Sequence, residues 1–258
     1  MQFFFGCILP YLALAVFLSG MAWRTWSWLR RPAPFPITLG VAPIRPSGRV
    51  AAAAKELLLF SALYRGDRCL WCWAWLMHGS LALILVGHVV GIPSAGCQFC
   101  LFGASPETSE FMSGVIGTVS GLIFAVSLVA LFYRRISLPE VKRLSDPADY
   151  FALALLMAVA LTGLHMRLTS LEVGLAEVRS YLASLLTFRP IALPRQPIFV
   201  VHFTLINVLL LYFPFSKLVH LTGSFVSQAL VLQRPPVYPT PSNAVQKRLP
   251  TALGGDAR

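Results

Sequence analysis

Charged residues are scarce in this chain of 258 residues: they make up 12% of it, against 57% hydrophobic residues, and the mean hydropathy is +0.71. So few charges cannot cover the surface of a water-soluble protein of this size. The composition therefore excludes a soluble enzyme, a disordered chain and a small scaffold held by disulfides. We expect an integral membrane protein.

Five apolar stretches are each close to the ~20 residues that a helix needs to cross a bilayer. They predict an all-α integral membrane protein with five transmembrane helices, over residues 4–23, 70–92, 112–133, 149–166 and 197–221. The first stretch lacks a basic n-region, so we expect it to remain attached as a span. The fifth contains Pro214, where we expect a kink and not a break, because neighbouring helices can satisfy the freed carbonyl.

Acidic residues are especially few, 10 against 21 lysines and arginines, which gives a net charge of +11. Seventeen of the 21 basic residues lie in residues 24–68, 134–143 and 217–258, which the five spans place on one side of the membrane. Basic residues collect on the cytoplasmic side, so we predict an outside N-terminus and a cytoplasmic C-terminus. The positive charge is then no sign of nucleic-acid binding.

Three further segments complete the predicted organisation. Ala51–Tyr64 is too short and too charged to span and predicts a short interfacial helix. Thr169–Phe188 predicts a surface-lying helix, because apolar residues recur in it at helical spacing. These apolar residues are Leu171, Leu175, Val178, Leu182 and Leu185. Residues 1–225 would form the membrane domain, and the proline-rich residues 226–258 an extended cytoplasmic tail.

Four of the five histidines lie in only two spans, His78 and His88 in the second, His202 and His220 in the fifth. A hydrogen bond to a backbone carbonyl would explain one buried histidine, but a pair on each of two helices favours axial ligation of haem iron. The two spans run in opposite directions. This pairs His78 with His220 near the cytoplasmic face and His88 with His202 near the outer face, in a di-haem helix bundle.

The spacing supports these pairs only in part. His78 and His88 are separated by about 15 Å along a helix axis, and His202 and His220 by about 27 Å. Helix tilt and the expected kink at Pro214 would have to absorb the difference of about 12 Å. An iron held by two histidines has no open position, so such haems would carry electrons and not bind ligands.

Several motifs resemble the membrane cytochrome b family of respiratory nitrate reductase gamma subunits. The resemblance is stronger to the branch of that family in dissimilatory sulfur metabolism, the DsrM subunits of the sulfite-reduction-associated (Dsr) membrane complex. The motifs are Pro10-Tyr11-Leu12, Trp23-Arg24, Pro34-Phe35-Pro36, Leu57-Leu58-Leu59-Phe60, Pro147-Ala148-Asp149-Tyr150-Phe151, Thr187-Phe188, Val201-His202 and the run Tyr212–His220.

The resemblance implies two haem b groups held by His78, His88, His202 and His220, and quinol oxidation near the outer haem. It also implies a place in the cell inner membrane and a cytoplasmic iron–sulfur, heterodisulfide-reductase-like partner subunit. Further membrane subunits and outer-face cytochrome or iron–sulfur subunits are expected as well. A lysine that helps to form the quinol site of nitrate reductase gamma subunits has no counterpart in residues 107–121.

Two alternatives stay open. One is the role of a nitrate reductase gamma subunit, which keeps the haems but feeds a molybdenum enzyme. The other is a haem-free transporter or proton channel, whose membrane histidines would form a relay. The sequence shows no inverted repeat of the kind that many transporters have.

Other residues could serve the same site. Lys217 and Arg24 are candidates to pair with haem propionates, or they are simply anchors at the cytoplasmic face. His165, near the outer end of the fourth span, could bind a propionate, move a proton or be solvated at the interface.

The cysteines include two Cys-x-x-Cys pairs, Cys69 with Cys72 and Cys97 with Cys100. Between them lies the second span, which separates the pairs by about 37 Å, so they cannot share a metal. We expect no cofactor at either pair. A disulfide between Cys97 and Cys100 is possible on the outer side and is left open here.

Overall fold

A computed structural model describes residues 3–30, 46–94, 96–169 and 174–231. Within these ranges the chain is helical and contains no strand. The helices are α1 (Leu9–Arg30, preceded by a π-helical turn at Phe4–Ile8), α2 (Pro46–Leu59), α3 (Ser61–Gly66), α4 (Arg68–Gly91), α5 (Pro106–Ser137), α6 (Pro139–Arg143), α7 (Pro147–Leu168), α8 (Leu175–Leu186), α9 (Pro197–Tyr212) and α10 (His220–Val231).

Five helical segments are long and apolar enough to cross a membrane, as the sequence predicts. They are Phe4–Arg30, Arg68–Gly91, Pro106–Ser137, Pro147–Leu168 and Pro197–Phe215. Two of them begin before their apolar runs, because polar residues cap them. Asp67 accepts a hydrogen bond from the N–H of Leu70 at the start of α4, and Ser105 accepts one from Thr108 at the start of α5.

The chain divides into two compact units. The first contains residues 1–24 and 60–220; in it α4 packs on α5, α5 on α7 and α7 on α9, and all four histidines of the predicted pairs lie here. The second contains residues 25–59 and 221–258. Its described part places Gly223 beside the ring of Trp28.

Helix α8 anchors a hydrophobic cluster in the first unit. Val178, Tyr181 and Leu185 are buried against Leu193 and Phe199. The hydroxyl of Tyr181 donates to the carbonyl of Gly6 at 2.6 Å, and the hydroxyl of Tyr11 donates to the carbonyl of Leu185 at 2.8 Å. These long-range bonds connect α8 with the beginning of the first span.

The fifth span breaks at Pro214, so the expectation of a kink is wrong. Helix α9 ends at Tyr212, a single 3-10 turn follows, and Ser216 is extended, with φ −108° and ψ 173°. A second 3-10 turn leads to His220. Proline causes the break because it has no N–H and its ring clashes with the carbonyl four residues earlier.

The break removes the discrepancy in histidine spacing. The value of about 27 Å between His202 and His220 assumed one continuous helix. Since the backbone is extended at Ser216, that rise does not apply.

Two short-segment predictions also change in detail. Ala51–Tyr64 is not one helix: α2 ends at Leu59 and α3 begins at Ser61. Phe60 between them has a left-handed backbone, with φ 49°, which interrupts the helix. In Thr169–Phe188 the helix begins at Leu175. Leu171, the motif Pro34-Phe35-Pro36 and residues 232–258 of the tail lie outside the described residues.

Gly20 allows α1 to approach the break closely. A Cβ atom at Gly20 would lie 2.6 Å from Cβ of Pro214, whose ring cannot move aside. We expect Gly20→Ala to lower the free energy of unfolding by about 1–3 kcal/mol, as overpacking does. The measurement is thermal or denaturant unfolding of the purified protein in detergent.

The matched control is Gly114→Ala in α5, where nothing lies within 4 Å of the added atom. This variant should be neutral or slightly more stable, because alanine favours a helix by about 1 kcal/mol over glycine. Equal effects of the two substitutions would contradict a close contact between α1 and Pro214.

Candidate functional site

His78 and His220 come together at one level of the first unit. Their Nε2 atoms are 3.5 Å apart and the two rings are almost perpendicular, at 87°. His78 lies on the unbroken helix α4, whereas His220 follows the break in the fifth span. Sequence reasoning paired these two residues, and the structure places them side by side.

The hydrogen bonds of this pair define its chemistry. Nδ1 of His78 donates to the carbonyl of Ala74 at 2.7 Å, and Nδ1 of His220 donates to the carbonyl of Lys217 at 3.0 Å. A carbonyl oxygen only accepts, so Nδ1 carries the proton in both rings. In neutral imidazoles each Nε2 atom is then a bare lone pair. Two lone pairs facing each other repel, unless an electron-pair acceptor such as a metal ion lies between them.

Phe60 forms one wall of this pair. Its ring meets the ring of His78 edge to face, with centroids 5.1 Å apart. The left-handed backbone of Phe60 is unfavourable for a residue with a large side chain, and such strain is often found at functional sites. Sequence reasoning missed Phe60, because nothing in the sequence indicates a positive φ at a phenylalanine.

His88 and His202 form the second predicted pair. Nδ1 of His88 donates to the carbonyl of Ile84 at 2.7 Å, which again leaves Nε2 as an acceptor. His202 lies close enough to His88 for the two imidazoles to interact electrostatically. That His88 and His202 share one level, as His78 and His220 do, stays a prediction.

Helix α7 orients His202. Nδ1 of His202 lies 2.9 Å from the hydroxyl of Thr162, and that hydroxyl donates to the carbonyl of Ala158 at 2.8 Å. With its proton donated there, the hydroxyl of Thr162 can accept the Nδ1–H of His202. A Cβ atom at Gly163 would lie 3.1 Å from Cε1 of His202, so this glycine makes room for the ring. Neither residue was predicted, because only tertiary packing places α7 against His202.

The predicted cations lie beside the break. Nε of Arg24 donates to the carbonyl of Pro214 at 3.0 Å. Nζ of Lys217 donates to Asp149 at 2.9 Å and to Asp146 at 3.0 Å. Whether these cations also bind a porphyrin carboxylate stays a prediction. Sequence reasoning gave no role to the two aspartates that bind Lys217.

His165 is exposed near the end of α7 and belongs to neither histidine pair. Its neighbour Arg167 donates to the carbonyl of Ser113 and, at 3.3 Å, to the hydroxyl of Ser113. Gly117 makes room for this guanidinium, since a Cβ atom there would lie 2.9 Å from Nη2.

Cys97 and Cys100 form a disulfide, which the sequence left open. Cys69 and Cys72, at the other end of α4, are exposed free thiols. The loop with the disulfide is held to α5 by Ser109, whose hydroxyl donates to the carbonyl of Gly96 and accepts from the N–H of Phe99.

Three groups outside the spans have shifted pKa values. A hydrogen bond from the N–H of Leu70 lowers the pKa of Asp67, and Arg134, at 2.6 Å, lowers it further. Hydrogen bonds to Asp149 and Asp146 raise the pKa of Lys217. Burial raises the pKa of the Tyr181 hydroxyl.

A metal bound entirely by protein side chains has no site in the described ranges, which hold no group of three or more His, Cys, Asp and Glu residues arranged for one. Two imidazoles could hold a metal whose other ligands come from a macrocycle. The two bare Nε2 atoms of the first pair fit such a group.

Comparison with known proteins gives relatives over most of the chain. The chain is 33% identical to the Hdr-like menaquinol oxidoreductase cytochrome b-like subunit of Archaeoglobus fulgidus, over 86% of this chain and 77% of the relative. It is 28% identical to the protein of the same name from Archaeoglobus profundus, over 85% and 76%. The nitrate reductase gamma chain of Bacillus subtilis is 24% identical, over 83% and 87%.

The family profile described as nitrate reductase gamma subunit matches residues 60–238, which is more than half of the chain and contains all four paired histidines. The relative from Archaeoglobus fulgidus gives independent support, because its alignment with the chain covers most of both proteins. The chain therefore belongs to the nitrate reductase gamma subunit family.

Proposed function

We propose that this protein is a di-haem cytochrome b subunit in a complex of dissimilatory sulfur metabolism. It would transfer electrons between the membrane quinone pool and a cytoplasmic iron–sulfur, heterodisulfide-reductase-like subunit. The observation that carries the proposal is the pair of bare Nε2 atoms of His78 and His220, 3.5 Å apart, with both Nδ1 protons donated to carbonyls.

Each histidine pair would hold one haem b. His78 and His220 would bind the inner haem, and His88 and His202 the outer one. The Nδ1–H bonds fix the tautomer and direction of each ring and make Nε2 a better electron donor. Arg24 and Lys217, beside the inner pair, are the proposed cations for haem propionates. When bound, haem supplies one-electron redox chemistry, which can connect a two-electron quinone to an iron–sulfur partner.

The proposed orientation has its N-terminus outside and its C-terminus in the cytoplasm, in the cell inner membrane. The distribution of basic residues supports it. The cysteines support it independently: the disulfide Cys97–Cys100 lies in the loop after α4, and the free thiols Cys69 and Cys72 lie at the beginning of α4. Disulfides persist on the oxidising outer side, and thiols persist in the cytoplasm.

The names of the relatives bear on the partner. The two Archaeoglobus relatives are named as subunits of an Hdr-like menaquinol oxidoreductase. These names support menaquinol as the reduced form of the quinone, and a heterodisulfide-reductase-like partner. Further membrane and outer-face subunits would complete the complex. The second candidate is the nitrate reductase gamma role, favoured by the family profile. Affinity purification from the native membrane separates the two, by recovery of an iron–sulfur subunit or of a molybdenum subunit.

A reduced-minus-oxidised optical spectrum of the purified chain tests the proposal directly. We expect b-type bands and a haem content of about two per chain, one for each histidine pair. A haem-free proton channel, the alternative of another class, would show no such bands after expression with sufficient haem. Absence of haem from the intact, folded protein would overturn the proposal.

A further inference from the structure

A buried carboxylate lies at the beginning of α7, next to the broken part of the fifth span. The side chain of Asp149 is only 7% exposed. It accepts hydrogen bonds from Arg135 at 3.0 Å, from Lys217 at 2.9 Å and from the N–H of Asp146 at 3.1 Å. Asp149 thus joins the end of α5, the first turn of α7 and the segment before His220.

That segment is not part of a regular helix. Ser216 is extended and residues 217–219 form only one 3-10 turn, so the i to i−4 ladder of an α-helix does not fix the backbone there. The ring of His220 is exposed, so packing does not fix its direction. His78, by contrast, lies on the continuous helix α4.

Two hydrogen bonds, one at the side chain and one at the backbone of Lys217, connect Asp149 to the imidazole of His220. The ammonium of Lys217 binds the carboxylate of Asp149, and the carbonyl of Lys217 accepts the Nδ1–H of His220 at 3.0 Å. The hydroxyl of Tyr212 also donates to the carbonyl of Ala148 at 2.8 Å, which ties the end of α9 to the same turn of α7. A movement of the Lys217 backbone would therefore rotate the His220 ring.

We propose that Asp149 is a positioning residue for His220: it holds Lys217 in place and so directs Nε2 of His220 toward Nε2 of His78. The inference rests on the proposed function, in which these two nitrogens bind the inner haem. Asp146 contributes less than Asp149, since its side chain is 68% exposed and water screens its attraction to Lys217. This gives a physical role to the aspartate of the Pro147–Phe151 motif.

The test compares Asp149→Asn with Asp146→Asn in the full-length protein. Both variants remove one negative charge beside Lys217 and keep the size of the side chain. Asp149→Asn should keep both haems but shift and broaden the low-spin electron paramagnetic resonance signal of the inner haem, with the outer signal unchanged. Asp146→Asn should leave both signals as in the wild type.

Lys217→Met provides a second measurement that does not depend on a buried aspartate. It keeps the backbone carbonyl that binds His220 and removes the bond to Asp149. It should reproduce the spectral change of Asp149→Asn; Lys217→Arg should restore the wild-type signal, and the double variant should be no worse than either single one. If Asp149→Asn does not fold, this pair of lysine variants decides the question.

The outcomes separate the two proposals. A wild-type protein without b-type haem overturns the proposed function. Two haems in the wild type, together with an inner signal that neither Asp149→Asn nor Lys217→Met changes, overturn only the positioning role of Asp149. Additive effects of the two substitutions would also overturn it, because they would show that Asp149 acts without Lys217.

Discussion

Replacing His220 with alanine is expected to remove about half of the bound haem, the share of one of two bis-histidine sites. His78 would then lose the imidazole that lies opposite its Nε2 atom, at 3.5 Å. Transfer of electrons from quinol to a cytoplasmic acceptor should cease. Haem content by the pyridine haemochrome assay and the rate of quinol oxidation measure the two effects.

His165→Ala is the matched control, since His165 is also a membrane histidine but belongs to neither pair. We expect it to retain both haems. Loss of both haems in His220→Ala, or of none, would contradict the assignment of one haem to each level. A similar loss in His165→Ala would show that the effect is not specific to the paired histidines.

Thr162→Val should weaken the outer haem selectively. The substitution keeps the shape of the side chain but removes the oxygen that accepts from Nδ1 of His202 at 2.9 Å. Loss of such a partner of a metal-binding histidine typically costs 10–100-fold in affinity, and we expect about 10-fold here. Haem transfer to apomyoglobin measures the dissociation of each haem.

Thr169→Val tests whether any threonine of this region has the same effect. The hydroxyl of Thr169 donates to the carbonyl of His165 at 2.7 Å and has no part in either pair. Both haems should dissociate from this variant at the wild-type rate. Faster loss of the inner haem in Thr162→Val would show that the threonine acts on general stability and not on His202.

The spans and the histidine pairs follow from local patterns in the sequence. Length and apolarity suffice to predict five helices, and opposite chain directions suffice to pair His78 with His220. Helices α4 and α5 begin earlier than their apolar runs, directly after the capping residues Asp67 and Ser105. A hydropathy pattern misses these starts because capping residues are polar.

Contacts between distant parts of the chain could not be predicted in this way. Thr162 is 40 residues from His202, and Asp149 is 68 residues from Lys217. Nothing in the sequence indicates either contact, because both depend on how α7 packs against α9. The break at Pro214 was misjudged for a related reason: proline allows either a kink or a break, and the surrounding contacts, such as that of Gly20, decide between them.

The interruption after Tyr212 makes the heights of His202 and His220 along the helix axis independent of the directions in which the two side chains point around it. In a regular helix, adding one residue raises a side chain by about 1.5 Å and also rotates it by about 100°. Where the helical hydrogen bonds are interrupted, residues can be gained or lost between Tyr212 and His220 without turning His202 away from His88, its predicted partner. Evolution could therefore adapt the height of His220 to a thinner or thicker bilayer while α9 stays unchanged.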